Sequence, residues 1–483
     1  MILYILQALS IIIILFFSLS EDKIIFRKKS SDKSNHNTFS FSKYAWNQFK
    51  KNKVALISLY ILFLMIFIAI FAPQIANDKP LYAVYKGKKM YPALYDLPFG
   101  GGEQKYTIYD KKHWDEFGDS IRIEFNDMVK YDWKSLEYEK VIWAPIPYSP
   151  STQDDLNRDY KSPLGEQKYK RPDEKIVDAP SQFRHHLGTD KLGRDLASGL
   201  IHGTRIALSV GLVSMGIASI LGIFLGSIAG FFGDRGLKMR RIKYYFTLLG
   251  IFLGFFYSWR KYEIIEAFQN SSIYGWGQII LSIIIFFGVI ILFRLISKLV
   301  PGNFFNKEIN VPIDSFVSRG IELLNSIPRL LLIITVAAMQ KDPSLYTVMI
   351  IIGITSWTGI ARFTRAELLR IRSLEYISAS NALGFSSSRT IFKHALPNAL
   401  APVFVSIAFG IASAILIESG LSFLGIGVPA DAITWGGLLN LGRLYHEAWW
   451  LIIYPGIAIF ITITIYNMIG EAARDALDPK LKS

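Results

Sequence analysis

The chain has 483 residues, 51% of them hydrophobic and 14% aromatic. Several apolar runs approach the roughly twenty residues that span a bilayer, which excludes an ordinary soluble protein. The absence of cysteine excludes disulfides, thiol catalysis and cysteine-based metal sites, and the net charge of +14 does not point to nucleic acid. The long polar segment 74–187 carries 18 basic and 19 acidic residues, so the excess lies in short loops beside apolar runs, where the positive-inside rule puts it.

Residues 2–19 are apolar with no basic residue before them, and Lys23, Arg27, Lys28, Lys29 and Lys33 follow. This predicts an uncleaved extra N-terminal span over 1–20 with its N-terminus outside. Residues 21–53 read as a cytoplasmic linker, polar and Ser/Asn/Lys-rich over 30–42. A span over 54–73 runs outward from Lys50, Lys51 and Lys53. The segment 74–187 holds too many aromatics, among them Trp114, Trp133 and Trp143, for a disordered tail, and reads as a folded insertion on the outer face.

In the next span region, 188–233, Gly222, Gly226 and Gly230 recur every fourth residue and so share one helix face. Small surfaces of this kind let helices approach closely in lipid. Residues 234–310 read as an inserted hairpin of two spans, 243–257 and 279–299, with Trp259, Tyr262, Tyr274 and Trp276 between them as an interfacial belt. Spans over 316–338, 345–363, 399–423 and 449–469 complete a set of about nine, the last four in a core over 311–483. Two basic clusters mark cytoplasmic loops: Arg235, Lys238, Arg240, Arg241 and Lys243, then Arg362, Arg365, Arg370, Arg372, Arg389 and Lys393. Counting spans puts both on the same side. The expected architecture is an all-α polytopic membrane protein with an extracytoplasmic insertion.

The most informative stretch is 375–398, polar and basic between apolar runs. A loop that transmits force from a soluble partner needs a short rigid helix, a stop, a turn and a fixed exit into the next span. Residues 375–383, opening on Glu375, supply the helix, and Gly384 is suited to a left-handed stop. Ser386 to Ser388 offer capping hydroxyls for a second short helix that includes Arg389, and Pro397 is expected to set the turn into the following span. These residues resemble the EAA motif of ABC importer permeases. Ala379, Gly384, Leu396 and Pro397 match it, while Ser378 stands for the motif glutamate, Ser380 for its second alanine and His394 for its isoleucine. The ending from His394 through Leu396 and Pro397 to Asn398 is typical of the dipeptide/oligopeptide branch.

Other stretches resemble the same branch in the same order: residues 186–195 (HLGTDKLGRD), Asp314, Arg319, Glu322 and Pro328, residues 418–427 (ESGLSFLGIG), Trp435-Gly436 and residues 475–479 (DALDP). The resemblance is to the C-type permease subunit and covers 49–71, 183–233 and 312–481. Residues 98–101 and 143–149 are similar to the insert of the permease for microcin C and oligopeptides. The family resemblance implies the type I ABC importer transmembrane fold in a bacterial inner membrane. It implies a B-type permease partner, two ATPase domains that engage 375–398, an extracytoplasmic solute-binding protein, and a peptide substrate. It implies no cofactor in this chain, with ATP and Mg held on the ATPase subunits. Nickel chelates or other small solutes are the alternative cargo. The extra first span and the hairpin depart from the family pattern.

Several residues carry two readings. Glu418, inside an apolar run, is a candidate group on the translocation path or a packing carboxylate bonded to Ser419 or Ser422. His185, His186 and Asp190 could be metal ligands, but vicinal histidines diverge on most backbones and no further ligands cluster nearby, so a structural turn is the expectation. Asp314, Arg319 and Glu322 are a gating ion-pair set or helix-surface charges. No P-loop, nucleophile elbow or His-Glu-x-x-His helix occurs, so the chain is expected not to be an enzyme. An ion-driven secondary transporter would call for inverted repeats and broken midplane helices, which the sequence does not display; a non-transporting assembly scaffold is the remaining alternative.

Overall fold

The computed structural model of the protein describes residues 41–85, 87–94, 107–114, 120–124, 133–135, 138–171, 173, 175–258, 272–300, 307–339, 344–427 and 432–477. The expected span over 1–20 and Trp259 and Tyr262 of the expected aromatic belt lie outside them. Among the described residues, five helices are long and apolar enough to cross a membrane, or six if one broken pair is counted as a span. The contacts divide the chain into two compact units: Met1–Gly222 with Leu324–Ile360 and Leu400–Ser483, and Ile223–Leu323 with Ala361–Ala399.

The first unit opens with α1 (Phe41–Lys51) and α2 (Lys53–Ile75). The linker expected over 21–53 therefore contains a helix. Ala45 and Phe49 fall four apart on one face, and Phe49 packs with Ala55 against Ala472 and Ala476 of α12 (Trp450–Leu477). Asn52 separates the first two helices, its Oδ1 accepting from the Ala55 amide at 3.1 Å as an N-cap.

The outer segment is built from short antiparallel ribbons, so the helical expectation holds for the membrane part only. Strand β1 (Tyr82–Tyr85) lies between β2 (Lys88–Met90) and β5 (Lys140–Ile142), with Ala83 facing Met90 on one side and Val141 on the other. Among the described residues, β3 (Thr107–Trp114) also pairs with β4 (Ser120–Glu124), and β6 (Lys168–Lys170) with β7 (Ile176–Asp178).

From there α3 (Leu196–Phe232) enters the membrane part. Within the first unit its small residues meet neighbouring helices closely. A Cβ on Gly211 would stand 2.8 Å from Ile411, and one on Gly222 2.7 Å from Ile360. Ser214 donates to the Met349 carbonyl at 2.9 Å, which satisfies a hydroxyl that lipid could not.

In the second unit, a ribbon of β8 (Lys238–Arg240) and β9 (Glu308–Asn310) closes the base of a hairpin, α4 (Arg241–Ser258) and α5 (Ser272–Ile296). The stretch 316–338 is not one continuous helix. It is broken into α6 (Ile313–Ser326) and α7 (Arg329–Ala338) at Ile327 and Pro328, because proline offers no amide to carry the helix ladder across. Then come α8 (Leu345–Ile371), α9 (Glu375–Ala382), α10 (Ser387–Phe423), α11 (Trp435–Leu444) and α12.

Candidate functional site

The stretch 375–398 folds as a helix, a left-handed stop and a second helix. Helix α9 places Ile377 and Ser380 inward, where Ile377 packs with Leu368, Ile371, Ala395 and Ala399 and with Phe231 at the end of α3. Ser380 is buried and shares a 3.0 Å hydrogen bond with Thr390. Serine thus does at this position what the motif's alanine cannot, tying α9 to α10. Gly384 follows with φ +74°, a conformation glycine adopts without strain. Ser386 caps α10, its Oγ accepting from the Arg389 amide at 3.4 Å.

The opposite face is open. Glu375, Tyr376, Ser378, Ala379, Leu383 and Phe392 are exposed, Leu383 at 72%. The Arg389 guanidinium lies 4.2 Å from the centre of the Phe385 ring, and Phe385 stacks on His394 at 5.8 Å. Asn398 donates to the Tyr376 hydroxyl at 3.1 Å and to the His394 carbonyl at 3.0 Å. The site is therefore a rigid two-helix knob with one apolar face buried on its own helix ends and another presented outward.

Pro397 does not set a turn. The helix runs continuously from Ser387 to Phe423, with Leu396 directly before Pro397. The register over Thr390–Ala395 is widened to i→i+5, and the Leu396 amide bonds to the Ile391 carbonyl. The wider turn accommodates the ladder position that Pro397 cannot fill. The sequence signal for this was the proline itself, ten residues after the helix start at Ser387.

In the first unit the stretch 185–195 is a fastening. The buried imidazole of His185, not the exposed His186, is its centre. With both ring nitrogens protonated, Nδ1 donates to Asp195 at 2.8 Å and Nε2 to Asp154 at 3.2 Å. The Tyr148 ring stacks on it at 4.1 Å. Burial alone would pull the imidazole pKa down, but the hydrogen bonds with Asp154 and Asp195 and the charges of both outweigh it, and the net direction is up. Asp154 is raised by burial and lowered more by His185 and Asn157, ending below the usual carboxylate range.

Asp195 also accepts from the Ser198 amide at 2.6 Å, which caps the start of α3. Asp190 accepts from the amides of Leu192 and Arg194 at 2.8 and 2.9 Å and from the Arg194 side chain at 2.6 Å. The Thr189 carbonyl receives the Trp450 indole at 3.0 Å. Gly188, at φ +85°, leaves no room for a side chain, since a Cβ would lie 2.8 Å from the Lys161 carbonyl and 2.9 Å from that indole. No group of three metal ligands occurs among the described residues.

Glu418 is 1% exposed and accepts from Ser422 at 2.7 Å and Ser419 at 3.4 Å. It is absent from the linings of two cavities among the described residues of the first unit. One, about 290 Å³, is bordered by Arg194, Ser422, Thr434 and Asn440; the other, about 580 Å³, by Tyr160, Lys191, Leu441 and Tyr445. The serine partners of Glu418 are those that the packing reading named.

In the second unit Asp314, Arg319 and Glu322 do not come together as a set. Asp314 forms a two-point ion pair with Arg365, whereas Arg319 and Glu322 make an exposed pair at 2.7 Å on α6.

Residues 300–483 match the family model described as the binding-protein-dependent transport system inner membrane component, and residues 40–93 match the N-terminal TM domain of oligopeptide transport permease C. The di/tripeptide transport system permease protein DppC of Pseudomonas aeruginosa is 31% identical over 303 residues, covering 62% of this chain and 74% of that protein. The chain belongs to the dipeptide/oligopeptide branch of ABC importer permeases, as a C-type subunit. The dipeptide transport system permease protein DppC of Bacillus subtilis is 28% identical over 63% of this permease and 71% of its own length. The peptidoglycan transport system permease protein YejE of Agrobacterium fabrum is 25% identical over 440 residues, 91% of this permease and 93% of its own length. Coverage that long reaches across both the outer segment and the hairpin, most of which the two family models leave out. The permease is thus a multi-pass membrane protein of a transport family, and the knob over 375–398 carries the residues that resemble that family's coupling motif.

Proposed function

We propose that this chain forms half of the translocation pore of a peptide importer in a bacterial inner membrane and catalyses nothing itself. A B-type permease supplies the other half. Two ATPase subunits, which bind ATP and Mg, seat on the knob over 375–398, and an extracytoplasmic binding protein delivers the cargo. ATP-driven closure of the ATPases would move the knob and switch the pore between outward- and inward-open states. Peptide cargo is supported by the relatives, two of which are named for dipeptide or di/tripeptide transport.

The observation that carries the coupling role is the two-sided knob: Ile377 and Ser380 fix it to its own helices, while Tyr376, Ala379 and Leu383 stay uncovered. Gly384→Pro tests it. Proline cannot adopt φ +74°, so the stop between α9 and α10 is lost. ATPase subunits should no longer co-purify and ATP-driven peptide uptake should vanish, while membrane insertion persists. Gly384→Asn, which tolerates the left-handed region and meets no atom within 4 Å, should retain both. Normal ATPase co-purification and uptake with Gly384→Pro would sink the coupling assignment.

A further inference from the structure

The hairpin of α4 and α5 is the largest feature of the second unit that the coupling role leaves unused. Its helices hold each other through glycines: a Cβ on Gly250 would lie 3.1 Å from Ile290 and Phe293, and one on Gly254 3.0 Å from the Phe286 carbonyl. The ring of Phe246 lies 6.2 Å from that of Phe293. With that seam closed, the outward faces remain apolar and uncovered, Phe252 at 70%, Phe256 at 67%, Ile284 at 60% and Phe287 at 56% exposed. Neither helix is among the five long enough to cross a membrane by itself. At 1.5 Å per residue their uncharged stretches, 244–258 and 279–293, rise about 22 Å, deeper than one leaflet of a hydrocarbon core about 30 Å thick. Tyr245 near one end and Tyr257 at the other are both exposed, as interfacial tyrosines are.

The base of the hairpin has the opposite character. Residues 235–243 and 294–310 contain eight basic residues and one acidic residue. The structure gathers them. Arg240 stands opposite Glu308 and Lys238 opposite Asn310 in the ribbon, and the Arg241 amide bonds to the Lys307 carbonyl at 2.9 Å. Arg294 lies in the last turn of α5, and Lys298 sits two residues past its end, its amide bonded to the Leu295 carbonyl at 3.0 Å. Lys238, Arg240, Arg294, Lys298 and Lys307 are all exposed. Glu308 can balance only one of these charges.

We propose that the base of this hairpin is a binding surface for anionic phospholipid headgroups. An apolar column deeper than one leaflet, ringed at one end by clustered exposed cations, matches a bilayer leaflet whose phosphates carry net negative charge. A Lys or Arg near such a surface contributes about 1 kcal/mol of attraction, roughly fivefold in affinity. A zwitterionic headgroup offers the same acyl chains with no net charge to meet the collar, so selection between the two lipids reads the collar alone.

The test uses the full chain in detergent, titrated with equimolar phosphatidylglycerol and phosphatidylcholine, with bound lipid counted by native mass spectrometry. The expected result is a phosphatidylglycerol preference of at least tenfold, which falls as salt screens it. Arg240→Gln, Arg294→Gln, Lys298→Gln and Lys307→Gln combined should bring the ratio near one. Lys→Arg at 298 and 307 should leave it unchanged, since the charge stays. Removing four outer-segment charges instead (Lys161, Lys170, Arg171 and Lys175 to Gln) should also leave it unchanged. Equal binding of the two lipids by the native chain would overturn the proposal. So would a preference that survives the collar variant, or a collar variant that loses an acidic partner protein while keeping its lipid selectivity. Peptide uptake is not the readout, so failure here leaves the transport reading untouched.

Discussion

His185→Ala is expected to free the outer segment from the start of α3 at a cost of about 3–5 kcal/mol, the usual penalty for removing one member of a buried ion pair. The imidazole is fully buried, and its removal leaves Asp154 and Asp195 facing each other with no cation between them. Asp195 would then carry its negative charge uncompensated while still capping α3 through Ser198. The Tyr148 ring would also lose the surface it stacks on. His186→Ala removes an exposed ring whose one recorded bond is to the Ser181 carbonyl at 2.9 Å, and should stay within about 0.5 kcal/mol of the parent. Hydrogen exchange over 154–198 in detergent-solubilised protein distinguishes the two. Unchanged protection with His185→Ala would mean that the fastening does not hold the segment.

The same group gives the outer segment a pH profile of defined sign. The His185 pKa is raised in the folded protein, the bonds to Asp154 and Asp195 outweighing burial. Its contribution is therefore fully present below the ordinary histidine value of about 6.5 and is lost as pH rises through the raised folded value. Asp154 is lowered, so its share is present above its ordinary value of about 3.9 and is lost as pH falls through the lowered one. Protection of the segment should be greatest between these limits and decline on the alkaline side. The double variant His185→Gln with Asp195→Asn should lose that alkaline decline, because the titrating ring is gone. An alkaline decline of the same size in the double variant would assign it to another group.

The parts of this permease that were legible in the sequence are those encoded locally. The stop at Gly384, the cap at Ser386 and the helix before them depend on residues a few positions apart, and the structure forms them there. The glycine face of α3 was readable for the same reason, a repeat of four on a helix. What escaped depends on distant partners. Asp154 meets His185 from 31 positions away, and nothing in the stretch 186–195 names that partner or shows that His185 matters more than His186. The widened turn at Thr390–Ala395 escaped because a proline just before an apolar run reads equally as a bend or as an accommodated residue. Helix α1 was hidden in a polar stretch whose apolar face, Ala45 and Phe49, becomes meaningful only beside Ala472 and Ala476.

Gly230→Leu should approach the lower end of the loss expected for His185→Ala, by a different route. In the second unit a Cβ on Gly230 would lie 2.6 Å from the Arg365 carbonyl and 2.9 Å from Leu368 Cβ, and one on Gly226 2.6 Å from the Ala361 carbonyl. The obstacle in both cases includes backbone, which cannot rotate aside, so α3 and α8 must separate along this seam. Overpacking of this kind costs about 1–3 kcal/mol in ordinary cores, and the upper end is expected where the clash is with a carbonyl in a close helix contact. Separation would also disturb the support of the knob, because Phe231 and Leu368 pack with Ile377 and Ala395. The variant should therefore lose thermal stability and ATP-driven uptake together. Gly216→Ala on the same helix adds the same first carbon where nothing lies within 4 Å, and should be neutral or stabilising by up to about 1 kcal/mol from helix propensity. If Gly216→Ala and Gly230→Leu shift the melting temperature equally, the seam is not what sets the helix spacing, and the knob must be held by α10 alone.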